Sequence, residues 1–85
     1  MASYRVFIKP SAVKELEAMP LRDRRRLVAR IGRLATDPRP PGSEKLTGAE
    51  RYRIRQGAWR ALYAIADEAV TVVVVKVGHR REVSR

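Results

Sequence analysis

"RYRIRQGAWR", residues 51–60, decides the fold. Arg51, Arg53 and Arg55 alternate with Tyr52 and Ile54, and a period of two is the pattern of a strand with one buried face. The alternation breaks at Gly57 and resumes in "AWRALYAIAD", residues 58–67. Two alternating runs on either side of a glycine make a β-hairpin. A two-residue turn at Gln56-Gly57 sets Arg55 opposite Ala58, Ile54 opposite Trp59, and Arg53 opposite Arg60. Tyr52, Ile54, Trp59, Ala61, Tyr63 and Ile65 then share one side, and Arg51, Arg53, Arg55 and Arg60 share the other. A three-residue turn would put Arg60 among the apolar residues, so the pattern favours the shorter one.

Working outward, "YRVFIK" (4–9) alternates and is rich in strand formers, and Pro10 stops it. Ser11 is a candidate helix cap with Glu15 nearby, and Ala12, Val13, Leu16 and Met19 fall at helical spacing, so a short helix is expected over 11–18. Pro20 separates it from a second helix over 21–35. There Leu27, Val28, Ile31, Leu34 and Ala35 form an apolar stripe, and Arg22, Arg24, Arg25, Arg26, Arg30 and Arg33 take the remaining surface. That basic surface reads as a solvated outer face or as a docking surface for an anionic partner. "DPRPPGSEKLTG" (37–48) reads as a loop because of its prolines and glycines. "AVTVVVVKVG" (69–78) reads as a strand covered on both faces. The order predicts one α+β domain over residues 1–85: an N-terminal strand, a two-helix hairpin, and three mainly antiparallel strands in one sheet.

Eighty-five residues suffice for a single small domain. The chain has no cysteine and one histidine, which argues against disulfides and a zinc site. No apolar run reaches membrane-spanning length and the N-terminus lacks a signal-peptide layout, so the expected location is the cytoplasm. Nineteen basic residues against nine acidic give a net charge of +10. Fifteen of the nineteen are arginine, whose planar guanidinium suits phosphate. A domain this basic is expected to meet nucleic acid or an acidic protein.

The arginine face fits that expectation. Like charges along and across strands oppose folding. Alternate residues on a strand lie roughly 6.5 to 7 Å apart, close to the phosphate spacing of an extended single strand. Such a backbone would stabilise the row; the alternative is that the arginines splay into water. The last strand then delivers "KVGHRREVSR" (76–85), where Gly78 permits a bend and His79, Arg80 and Arg81 follow. His79 can exchange protons near neutral pH. No carboxylate is assigned to this cluster, Glu82 being the nearest in sequence.

The element order, "YRIRQGAWRALYAI" and "VVKVGHRREV" resemble the RelE/ParE superfamily of bacterial toxins, on the RelE side. The resemblance covers nearly the whole chain and is sharpest over 51–84. It implies a metal-free and cofactor-free ribonuclease that enters the ribosome and cuts mRNA, neutralised by a cognate antitoxin protein. Carried over by position, it implies catalytic roles for Arg53, Arg60, His79 and Arg80, and RNA-binding roles for Arg51, Arg55 and Arg81. The family often ends its motif with a tyrosine, and Ser84 stands there in this chain. Serine offers neither the stacking ring nor the phenol, so cleavage is expected to be weakened. Two alternatives remain open: a ParE-like gyrase-inhibiting toxin, and a non-catalytic RNA- or antitoxin-binding protein of the same fold.

Overall fold

A computed structural model describes residues 3–47 and 50–81. The chain runs β1 (Arg5–Ile8), α1 (Pro10–Glu17), α2 (Leu21–Arg33), β2 (Glu44–Lys45), β3 (Arg51–Gln56), β4 (Trp59–Ala66) and β5 (Thr71–His79). The strands form one sheet in the order β1-β5-β4-β3-β2. β1 runs parallel to β5, and the other pairings are antiparallel. The α+β class, the helical hairpin and the order of the long strands match the sequence reading.

Both helices start on proline geometry. Pro10 occupies the first turn of α1, with Lys9 as the flanking residue and no side-chain cap. Proline needs no hydrogen-bond partner there and its φ is already helical, so Ser11 is not the cap. At α2 the proline stands one position earlier: Pro20 is the flanking residue just before Leu21, again with no side-chain cap. Ala12, Leu16, Met19, Leu27, Ile31 and Leu34 come off the helices onto one face of the sheet. They meet Ile54, Ala61, Tyr63, Val72, Val74 and Val77, all at most 1% exposed. Val28, on the expected apolar stripe of α2, remains exposed.

The sheet differs from expectation in three places. The loop after α2 contains β2, whose Glu44 and Lys45 pair with Arg53 and Tyr52. The β3–β4 turn is Gly57-Ala58, not Gln56-Gly57, and Arg55 lies opposite Arg60, Ile54 opposite Ala61, and Arg53 opposite Leu62. Gly57 has φ +60° while Ala58 is not in the positive region, the requirement of a two-residue turn with glycine first. The register has slipped by two residues, which preserves every face. Finally, β5 is covered by helices on one face only, and Val73 and Val75 on the other are half-buried.

Two polar clusters secure the ends of the inner strands of this sheet. β1 stops pairing at Ile8 with Val74, leaving the end of β5 open. Glu15 of α1 covers it, accepting from the Val77 N–H at 2.9 Å and from Lys76 Nζ at 3.2 Å. At the opposite end, Arg39 reaches both carboxylate oxygens of Asp67 (2.9 and 3.3 Å), and Tyr4 donates to the same carboxylate at 2.8 Å. Arg39 also lies over the Tyr52 ring, 5.2 Å from its centroid. Hydrogen bonds from Arg39 first, then Tyr4, hold the Asp67 carboxyl below its usual range. A depressed native pKa stabilises above the unfolded value and is lost as pH falls through the folded one. The difference in urea midpoint between the parent and Asp67→Asn is therefore expected at neutral pH and should close on acidification below about pH 4. A difference that stays constant into strong acid would contradict this role.

Candidate nucleic-acid interface

Burying Ile54 forces Arg53 and Arg55 out of the other side of β3, because neighbouring side chains on a strand point to opposite faces. Among the described residues no helix packs on that side. β4 adds Arg60 directly opposite Arg55. Across β4, Arg60 pairs with Gly78, which is buried and carries no side chain. Beyond β5, the Arg80 N–H donates to Ala58 O at 2.7 Å, tying the chain after the strand to the hairpin turn. Desolvation first, then the charges of Arg53, Arg55 and Arg80, lowers the Arg60 pKa, so the four guanidinium groups share one field. Arginine remains a cation there.

Leu62 lies on this same face and is only 1% exposed, although among the described residues no helix covers it. Its cross-strand partners are Arg53 and Lys76, long side chains that cover apolar surface with their stems. The Arg53 side chain is accordingly only 12% exposed, against 51% for Arg55.

A carboxylate sits inside the cluster. Glu44 on β2 receives Arg53 Nη2 at 3.1 Å through one oxygen and Arg55 Nη2 at 3.0 Å through the other. The Arg53 hydrogen bond is the main cause that holds the Glu44 carboxyl below its usual range, with Arg55 and Arg60 adding to it. The sequence reading assigns no acidic residue here. The signal is absent because Glu44 reaches Arg53 only through β2, a two-residue strand within a proline-rich loop.

His79 is placed differently from the arginines. It pairs with Trp59 on the helix side of the sheet, and its ring meets the Trp59 ring edge-on at 5.5 Å. The cause is a register shift between Leu62 and Tyr63: Leu62 pairs with Lys76 but Tyr63 with Val74, leaving Val75 as an extra residue in β5. One inserted residue reverses the faces beyond it. Without it, alternation from Val72 and Val74 would carry His79 onto the arginine face. Gly78 lies within β5, and the chain leaves the strand only after His79. Arg51 is exposed at the start of β3, and Arg80 and Arg81 are exposed after β5. The Arg81 N–H donates to His79 Nδ1 at 3.3 Å. Ser84 lies outside the described residues. The structure thus gathers Arg53, Arg55, Arg60 and Arg80 and leaves His79 at the rim.

The sequence profile of the family described as "ParE toxin of type II toxin-antitoxin system, parDE" matches residues 6–84. The chain is 33% identical to Toxin RelG of Mycobacterium tuberculosis (strain ATCC 25618 / H37Rv) over 86 residues, covering 96% of this chain and 97% of that protein. Its fold is similar to the toxin–antitoxin complex RelBE2 from Mycobacterium tuberculosis, with a TM-score of 0.81 and 32% identity over 92% of this chain and 99% of that one. It is also similar to the archaeal RelE-RelB complex from Pyrococcus horikoshii OT3, with a TM-score of 0.83 and 28% identity over 95% and 99% of the two chains. With the profile spanning nearly the whole sequence, the chain belongs to the ParE toxin family of type II toxin–antitoxin systems, within the RelE/ParE superfamily.

Proposed function

We propose that this toxin is a ribosome-dependent mRNA endoribonuclease that inhibits translation. The observation that carries the reading is the convergence of Arg53, Arg55, Arg60 and Arg80 on the sheet face opposite α1 and α2. In the reaction the ribose 2′-OH loses its proton and its oxygen attacks the adjacent phosphorus. The bond from phosphorus to the 5′-oxygen breaks, and that oxygen takes a proton. The products are a 2′,3′-cyclic phosphate and a 5′-hydroxyl. Negative charge builds on the phosphoryl oxygens in the transition state, and fixed donors aimed at it lower the barrier. Arg53, Arg60 and Arg80 take this role; Arg51, Arg55 and Arg81 bind the RNA, Arg55 through the same phosphate as Arg53.

Arginine is too weak an acid and base for the proton transfers. His79 is the imidazole available. It acts from the rim, over the end of the sheet: Nε2 takes the 2′-OH proton and then gives a proton to the departing 5′-oxygen, and the 3.3 Å contact from the Arg81 N–H to Nδ1 gives way as the ring carries its proton there. Ser84 takes the place of an aromatic residue that would stack on a base. Such stacking is worth about 1–3 kcal/mol, so Ser84→Tyr should raise cleavage on programmed ribosomes by roughly tenfold. Cleavage no faster than the parent's would remove position 84 from the site.

The partner that restrains the toxin is a cognate antitoxin protein, a reading supported by similar chains whose structures are toxin–antitoxin complexes. A cationic face at this net charge attracts an acidic segment. A second reading, inhibition of gyrase, is favoured by the matching profile's parDE description. The arginine cluster favours RNA cleavage over it. Mapping mRNA ends on programmed ribosomes tests the proposal: cuts at the vacant codon support it, and intact message refutes it.

A further inference from the structure

The arginine face already holds an anion of the protein's own. Two guanidinium groups from alternate residues of β3 converge on one carboxylate, each on a separate oxygen at 3.0 to 3.1 Å. Two donors about 3 Å from two oxygens of one small anion is also how arginines hold a phosphodiester. The carboxylate belongs to β2, which has two residues, lies at the sheet edge and follows a proline-rich loop. Side-chain exposure is 12% for Arg53, 45% for Glu44 and 51% for Arg55. Both cations stand on β3, which pairs with β4 along its whole length, whereas the anion stands on β2, paired over two residues only. Resting on the RNA-binding reading above, we propose that Arg53 and Arg55 form a phosphate subsite with Glu44 as its internal occupant, so that β2 gates the RNA face and an incoming phosphate must displace the Glu44 carboxylate.

Displacement costs the protein two ion pairs before the RNA is engaged. While Glu44 stays in place, Arg53 and Arg55 present less net charge to a backbone. The gate also keeps Arg55 and Arg60, directly opposed on β3 and β4, supplied with a counter-charge when no RNA is bound.

The test compares Glu44→Gln with Glu17→Gln, an equal charge change on an exposed residue of α1. Affinity for a short single-stranded RNA is read by fluorescence anisotropy across a salt series. Glu44→Gln should bind about tenfold more tightly than the parent, and Glu17→Gln should stay within about twofold. The salt slope of Glu44→Gln should steepen by about 0.7 for each additional phosphate that the freed arginines neutralise. Equal effects of the two substitutions would overturn the proposal, because general charge would then explain both. Weaker binding by Glu44→Gln would overturn it too, making Glu44 a support for the arginines. Inorganic phosphate alone, titrated against the Arg53 and Arg55 Nε–Hε resonances, separates this subsite from the RNA reading. A response at several-fold lower phosphate in Glu44→Gln than in the parent supports the subsite even where neither protein binds RNA, in which case the RNA reading falls. Identical titrations overturn the subsite.

Discussion

Arg60→Ala is expected to lower mRNA cleavage on programmed ribosomes by roughly 100- to 1,000-fold, the cost of removing one preorganised donor from a transition state that gathers negative charge. Arg60 is the member of the cluster nearest its centre: it faces Arg55 on β3 and Gly78 on β5, and the charges of Arg53, Arg55 and Arg80 all act on it. Ribosome affinity should fall far less than the rate, because ground-state binding is spread over several arginines. Arg60→Lys should recover part of the loss, since it restores the charge without the planar pair of donors. A rate within threefold of the parent, in a variant with an unchanged urea midpoint, would remove Arg60 from the reacting phosphate.

Ile54→Ala is expected to destabilise the fold by about 2–5 kcal/mol, the range for truncating a buried aliphatic side chain. Ile54 is fully buried and lies on β3 between Arg53 and Arg55, so the residue that anchors the strand also aims its arginines. A domain of this size has roughly 4–13 kcal/mol in total, and the variant should be partly unfolded at moderate temperature. Urea denaturation checks this. A loss below about 1 kcal/mol would mean that α2 and β4 close over the gap.

The hairpin shows what is legible in the sequence alone. The arginine and apolar faces follow from period-two alternation, and any even slip leaves them intact. The turn is not legible, because Gln56-Gly57 and Gly57-Ala58 both place glycine in a two-residue loop and give the same faces. The four valines from Val72 to Val75 conceal the extra residue in β5, since no side chain in the run marks where pairing shifts. Sequence proximity therefore groups His79 with the arginines, whereas the shift turns it toward Trp59. Glu44 is hidden for a different reason. Its ion pairs depend on a two-residue strand that propensity cannot distinguish from loop. Composition announces the basic surface, but the placement of Glu44 inside it requires the fold.

Ribosome and gyrase assays run side by side on the same purified toxin test the central claim most directly. The mRNA on programmed ribosomes is expected to be cut, leaving 2′,3′-cyclic phosphate ends, while gyrase supercoils DNA at its normal rate. Intact message together with accumulation of cleaved gyrase–DNA complexes would contradict it.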